Sequence, residues 1–302
     1  MPAFACLFQA ALLALILMLA SLWAPLGLPA HEAAADLPKG VHLKNRQHAV
    51  ELIDAYLKLP DPHPEALSAL LADEAVQHFG VNAALAMLSR PLLELRLRPG
   101  NDQPLPLNPE KSVKLFAILE ALVNDLPAST MNRPDKSGAK LIRELQSPEG
   151  IMSQGLAQMV ETGCAALDPA LARFYYRRLH EFPRRSPFDL DRASASLALI
   201  KLYCLLDNPV EAEWIYADFK SLERRSGITL RQGQAALVLV ESLAAAGELA
   251  KARRYYDELW KLPDDKYLTD YKSKAREALA QAERLLSGGG TETETAKNEA
   301  KP

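Results

Sequence analysis

The sequence lacks several short motifs that mark enzyme active sites, and their absence argues against the enzyme classes that use those motifs. It contains only 14 glycines in 302 residues, three of them consecutive near the carboxyl end. The glycine-rich patterns that hold phosphate groups, GxGxxG and GxxxxGK, do not occur, and neither does the GxSxG pattern of a nucleophilic serine. The sequence therefore assigns no residue a catalytic role and predicts no cofactor.

Charge of one sign is also lacking. The formal net charge is -3, from 35 basic and 38 acidic residues, so no overall field favours nucleic acid. Five of the six histidines precede residue 80, yet neither HxxxH nor HExxH is present to bring metal ligands onto one helix face. We expect neither a nucleic-acid partner nor a metal site.

The first 30 residues carry no charged side chain. Within them, the run from Ala10 to Ala24 is almost wholly apolar, which is typical of an export segment rather than a core helix. Residues 1–35 are predicted to be a signal peptide, cleaved after Ala30 or Ala35, or an uncleaved anchor with residues 10–28 in the inner membrane. Both alternatives place the rest of the chain in the periplasm or another extracytoplasmic space, and both allow association with the membrane through this segment.

Leucine and alanine dominate the body of the chain, which favours an all-α fold. Residues 40–147 are predicted to be an irregular helical region. Apolar spacing and helix breakers predict helices at 45–59, 65–79, 81–97, 110–126 and 139–145. Pro91 is expected to kink or split the third of these, and Asn108 with Pro109 gives the fourth a good start signal. Residues 98–109 contain four prolines and are predicted to be an exposed loop.

From residue 148 to residue 286 the sequence repeats every 40 residues. The register aligns Ala172, Ala212 and Ala252, and four residues later it aligns three tyrosines: Tyr176, Tyr216 and Tyr256. Each unit reads as a first helix, a turn and a second helix, with the alanine where the two helices cross. The predicted units are residues 152–191, 192–231 and 232–271, followed by a terminal helix to residue 286. Residues 287–302 are predicted to be a disordered tail, since alanine is their only apolar residue type.

This pattern resembles the tetratricopeptide repeat, whose units place a small alanine in the second helix and a large aromatic residue four positions later. Ala252 and Tyr256, with Gly247 in the turn before them, match the family best. The period of 40 exceeds the family's 34, and Ile200 and Val240 stand where the family has a small residue. The resemblance implies a solenoid of stacked hairpins whose concave groove, lined by the first helices, binds a protein partner.

Two surfaces of the array are candidate binding sites. By the resemblance, six residues are expected to line the groove and to accept an apolar or mixed helix or strand: Ser194, Leu197, Lys201, Gln234, Leu237 and Glu241. The second surface is the densest basic patch of the chain: Arg173, Arg177, Arg178, Arg184 and Arg185. This patch is either the solvated back of a second helix, whose apolar face includes Phe174, or a contact for an acidic partner.

Cys164 and Cys204 occupy equivalent places in successive first helices, where the third unit has Ala244. Because alanine serves there, the position needs a small apolar side chain, which a free thiol also supplies. A disulfide between the two cysteines is the alternative in an oxidising compartment.

Two functions remain in competition. The leading hypothesis is a protein–protein interaction scaffold or adaptor of the cell envelope, although the N-terminal helices could themselves fill its groove. The alternative is an envelope enzyme of hydrolase type, with its site in the N-terminal helical region. An enzyme needs a polar cleft with convergent titratable groups, whereas a scaffold needs an open groove.

Overall fold

The computed structural model describes residues 39–60, 63–97, 108–124, 147–182, 186–222, 226–263 and 265–288. In these ranges the chain forms eleven α-helices and no strand, which confirms the predicted all-α class. The helices are α1 (Lys39–Leu57), α2 (Pro64–Ala72), α3 (Glu74–Leu97), α4 (Pro109–Asn124), α5 (Pro148–Ala165), α6 (Pro169–His180), α7 (Ser186–Leu205), α8 (Pro209–Phe219), α9 (Ser226–Ala245), α10 (Leu249–Trp260) and α11 (Lys266–Gly288). The predicted export segment at 1–35, the helix at 139–145 and all but the start of the tail lie outside the described residues.

The helices pack in one repeated order along the chain. Each odd-numbered helix, a first helix, contacts the next odd-numbered helix, and each even-numbered helix, a second helix, packs between its two neighbours in sequence. The order includes α1 to α4, although their lengths range from 9 to 24 residues. No helix in the described ranges is long and apolar enough to span a bilayer.

One helix boundary in the N-terminal region differs from the sequence prediction. The break between α2 and α3 falls at Asp73, because its carboxylate accepts hydrogen bonds from the N–H groups of Ala75 (2.9 Å) and Val76 (3.3 Å) and caps α3. Gly80, predicted as the break, lies within α3, where a Cβ would come within 3.0 Å of Leu122. Helix α3 continues through Pro91, so of the predicted kink or split, the split does not occur.

The three hairpin turns of the repeated region share one backbone geometry. Leu167, Asp207 and Gly247 have φ angles of 56°, 52° and 76°, in the left-handed region. In each turn the following N–H donates to a carbonyl five residues earlier, at 2.8 to 2.9 Å, which closes the end of the first helix. Only the third turn has the glycine that this conformation favours, and the left-handed conformation costs other residues about 1 kcal/mol. The packing of the hairpins therefore imposes the turn on Leu167 and Asp207.

The small residues at the helix crossings lie where the register predicts them. Ala172, Ala212 and Ala252 are all fully buried. In the first hairpin the approach is closer still, since a Cβ on Gly163 would lie 2.6 Å from the backbone nitrogen of Ala172. Gly163 stands where the second unit has Tyr203, and the close approach of α5 to α6 explains this departure from the pattern.

A buried polar side chain ties each of α7, α9 and α11 to the second helix before it. Arg192, Gln232 and Lys272 are spaced by 40 residues and are between 1% and 5% exposed. Each donates to backbone carbonyls at the end of the preceding second helix: Leu179 and Phe182 for Arg192, Phe219 for Gln232, and Leu262 for Lys272. These bonds fall on carbonyls at or just beyond the ends of the second helices, where the regular hydrogen bonds of the helix stop.

Candidate functional site

The first helices α5, α7, α9 and α11 present three rows of half-buried or exposed side chains at equivalent positions. We call these residues the first-helix face: Gln154, Ser194, Gln234 and Lys274; Gln158, Ala198, Val238 and Ala278; Glu161, Lys201, Glu241 and Gln281. The main contacts of α1 to α4 are with one another and with α5, and none of these contacts is with α7 or α9. Among the residues that the structure describes, α1 to α4 therefore leave the face open over α7 and α9.

Four of the six predicted groove residues belong to this face: Ser194, Lys201, Gln234 and Glu241. Leu197 and Leu237 do not, because they are 9% and 7% exposed and pack in the hydrophobic core. This corrects the prediction that both leucines are free to meet a ligand. Their neighbours Ala198 and Val238 take the places between the polar rows, so the open surface is more polar than the sequence implied.

Charge alternates along the third row of the face. Glu161, Lys201 and Glu241 follow one another on successive first helices, so the sign changes at each step. Burial raises the pKa of Glu241, and the nearby Lys274 ammonium opposes that shift. A partner that crosses the helices meets an acidic, then a basic, then an acidic side chain.

Asp191 links two first helices beside this face. It lies on α7, half-buried, and accepts a 2.7 Å hydrogen bond from the hydroxyl of the fully buried Ser153 on α5. Burial, with a smaller contribution from the Glu161 carboxylate, raises the pKa of Asp191 to about 7. The bond from Ser153 and the cations of Arg231 and Arg192 oppose the rise. Asp191 thus changes charge near neutral pH within the stack of first helices.

Replacing Asp191 with asparagine is expected to stabilise the protein at pH 8 and to have little effect at pH 4. A carboxyl whose pKa is raised in the folded state stabilises at low pH, and that stability is lost as the pH rises from about 4 to about 7. The shift limits the gain to about 4 kcal/mol, and partial exposure lowers our expectation to about 1–2 kcal/mol. Urea unfolding at both pH values measures it, with exposed Asp257→Asn as control. An equal gain at pH 4 and pH 8 contradicts the assignment.

An apolar depression lies at the carboxyl-terminal end of the face. It is a cavity of about 360 Å³ between α9 and α11, beside the turn into α10. Its lining is mostly apolar: Glu241, Ala244, Ala245, Gly247, Ala278, Gln281, Ala282, Leu285 and Leu286. Leu285 is 70% exposed and Leu286 is 58% exposed, so the depression opens to solvent and has room for an apolar side chain.

The basic patch is partly used within the molecule. Arg173 pairs with Glu211 on α8 at 3.3 Å, and Arg178 pairs with Glu120 on α4. Arg177 is exposed. Arg184 and Arg185 lie outside the described residues. Two of the predicted arginines therefore hold neighbouring second helices together, which reduces the charge they offer to a partner.

One buried cluster has the residue types of a catalytic site. The Tyr176 hydroxyl lies 2.9 Å from the Ser196 hydroxyl and donates to Asp218 at 3.3 Å, while His180 Nε2 is also 3.3 Å from Asp218. Ser196 is 1% exposed, and burial raises the pKa of Tyr176, so the cluster offers no accessible nucleophile. The equivalent residues of the next unit form a plain ion pair at 3.0 Å: Lys220 and Glu258. The shared role is to link adjacent second helices.

Cys164 and Cys204 are free thiols and half-buried. Burial raises the pKa of Cys164 to about 12 and that of Cys204 to about 11. Neither thiol is therefore disposed to act as a nucleophile at neutral pH.

Within the described ranges, no group of three or more histidine, cysteine or acidic side chains is placed to hold a metal ion.

Comparisons of the chain with protein-family models, with curated proteins and with solved structures give no match.

Proposed function

We propose that the chain is an exported scaffold or adaptor of the cell envelope that binds a protein partner through the first-helix face. The observation that carries the proposal is that none of the described helices α1 to α4 packs on α7 or α9, and that the face repeats its side chains from helix to helix. A repeated open surface lets one elongated partner make similar contacts at each step.

A solenoid of tetratricopeptide-like hairpins is the architecture that we propose for residues 148–286. Three observations support it: the shared left-handed turn, the buried alanine at each crossing and the single order of helix packing. In such an array the first helices line the concave side, so the first-helix face would be the groove.

The chemistry of the face favours an extended partner segment of mixed polarity. Packed helices lie about 8–10 Å apart, and an extended chain advances about 3.3 Å per residue. About three partner residues therefore pass from one first helix to the next. Gln154, Ser194 and Gln234 can bond to the partner backbone, and the charged row can select its side chains. An apolar partner residue would occupy the depression between α9 and α11.

The location of the protein is part of the proposal. It rests on the uncharged apolar segment within residues 1–35, which would direct the chain to the periplasm or anchor it in the inner membrane. A chain held at the membrane would present its face to other envelope proteins. The proposal assigns the chain no catalytic step.

Photo-crosslinking in intact cells tests the face. We expect a photoreactive residue at position 201 or 234 of the full chain to capture the same protein, because both positions lie on the face. Position 261 is the matched control, because Lys261 is exposed on the connection after α10. Lys201→Glu should reduce capture from position 234 about tenfold, the effect of roughly 1.4 kcal/mol. Lys261→Glu should leave it unchanged.

Two results oppose the proposal. Capture from position 177 with none from positions 201 and 234 would make the basic patch the working surface. If the photoreactive residue at position 234 captures the partner equally well with and without Lys201→Glu, the charged third row of the face takes no part in binding.

A further inference from the structure

Asp191 lies in line with the first-helix face, one step beyond its first row. On α7 it comes before Ser194, Ala198 and Lys201 at a spacing of three and four residues, which keeps side chains on one side of a helix. Arg231 holds the equivalent place on α9 and is also half-buried. A partner segment that crosses the face at its first row therefore passes over the Asp191 carboxyl.

The carboxyl of Asp191 is held between two first helices by a neutral donor. Its hydrogen bond comes from the hydroxyl of Ser153 on α5, a fully buried side chain, at 2.7 Å. Glu161 of α5 disfavours its ionised form, whereas Arg231 of α9 and Arg192 of its own helix favour that form. Both arginines also have other partners: Arg231 donates to a carbonyl of α9 at 3.0 Å, and Arg192 donates to a carboxylate of α7 at 3.1 Å.

The second helices present their polar groups on another side of α7. Ser196 lies five residues after Asp191, so the two side chains point about 140° apart. The Tyr176 hydroxyl of α6 lies 2.9 Å from the Ser196 hydroxyl and donates to Asp218 of α8, which His180 of α6 also approaches. The protonation of Asp191 therefore depends on the first helices, on the side where a partner would bind.

A partner that covers a half-buried carboxyl affects its two forms differently. The ionised form loses its remaining water, which is costly unless the partner brings a cation. The protonated form loses less, and its O–H can donate to a backbone carbonyl of the partner. Because the pKa of Asp191 is raised to about 7, both forms are present near neutral pH.

We propose that proton uptake by Asp191 strengthens the binding of the partner, so that the first-helix face binds more tightly in acidic than in alkaline surroundings. This inference rests on the proposed function. The segment that fits is extended and places a backbone carbonyl and an uncharged side chain over Asp191. If binding raises the pKa of this carboxyl, the complex holds more protons than the free chain, and the affinity falls as the pH rises.

Photo-crosslinking at two pH values tests the switch in the full chain. The probe is a photoreactive residue at position 234, used in permeabilised cells buffered at pH 5.5 or pH 8. We expect about five- to tenfold more capture of one protein at pH 5.5, the effect of a pKa that binding raises by about one to two. Asp191→Asn should give high capture at both pH values. Asp257→Asn, at an exposed position on α10, is the matched control and should keep the difference.

The outcomes separate the switch from the proposed face. Capture of one protein with equal yield at both pH values would overturn the switch and leave the face in place. No capture at either pH would overturn both. Stronger capture at pH 8, lost in Asp191→Asn, would mean that the partner brings a cation to Asp191, and it would also overturn the switch.

Carbon-13 NMR of the aspartate carboxyls tests the switch without the partner. The resonance that is missing from the Asp191→Asn protein belongs to Asp191. We expect it to titrate with a pKa of about 7, against about 4 for an unperturbed aspartate. A titration midpoint below pH 5 for this resonance would overturn the switch, whatever the crosslinking shows.

Discussion

Replacing Arg192 with methionine is expected to lower the free energy of unfolding by about 3–5 kcal/mol. Arg192 is 1% exposed, and it donates to the Asp189 carboxylate at 3.1 Å. Asp189 is itself 6% exposed, so the variant would leave a buried carboxylate without its ion-pair partner. The carbonyls at the end of α6 would also lose their donor. Methionine keeps much of the volume, which separates the polar loss from a packing defect.

Urea unfolding of the full chain measures this effect against two comparisons. Arg254→Met removes an exposed arginine, 3.9 Å from Glu258, and should cost under about 0.5 kcal/mol. Arg192→Gln combined with Asp189→Asn should recover part of the loss, because Gln232 fills the same role one unit later. If Arg192→Met and Arg254→Met unfold at the same urea concentration, the buried network contributes little to stability.

Replacing Gly163 with leucine is expected to destabilise the protein by about 3 kcal/mol or more. The repeat itself would favour this change, because Leu243 occupies the equivalent place in the third unit, and leucine forms helix better than glycine. In the structure, however, leucine does not fit at residue 163, because its Cβ would lie 2.6 Å from the backbone nitrogen of Ala172. Backbone atoms within a packed hairpin have little room to move, so α5 and α6 would have to separate.

Gly233→Ala provides the control for this prediction. A Cβ there would meet the end of the Leu268 side chain, at 2.2 Å from Cδ2, and that side chain can rotate away. We expect a cost below about 1.5 kcal/mol, measured by the same urea titration. A Gly163→Leu protein as stable as the unchanged chain would show that the hairpin tolerates a wider crossing.

Much of the helical organisation could be predicted because it depends on local sequence. Asn108 caps α4 as predicted, since a side-chain acceptor three residues before Lys111 is a local signal. The spacing of Ala172, Ala212 and Ala252 likewise marked the helix crossings. The sequence prediction placed the break at Gly80 and missed the one at Asp73, although the capping carboxylate of Asp73 is also a local signal. Gly80 lies instead within α3, where it contacts Leu122 of α4.

The candidate face could be predicted only in part, for a geometric reason. Successive residues of a helix point in directions about 100° apart. The prediction named Leu197, which lies in the core, whereas the next residue, Ala198, lies on the open surface. A sequence pattern gives the stripe of a helix, but its exact edges depend on where the neighbouring helices lie. Ser194, Lys201, Gln234 and Glu241 lie far enough from the apolar stripe to be half-buried or exposed.

By itself, then, the sequence determined the helical class of the described residues and the alternation of helices and turns from residue 148 to residue 286, because both depend on spacing within a helix or between equal units. Only the tertiary structure decided that Arg192 is buried and Phe174 exposed, the reverse of their hydropathy. Arg192 is buried because packing places carbonyls from the end of α6 beside it. Phe174 is exposed because α6 already fills its contacts with Ala172, Tyr175, Tyr176 and Leu179. Both outcomes depend on the positions of neighbouring helices, which no spacing within one helix specifies.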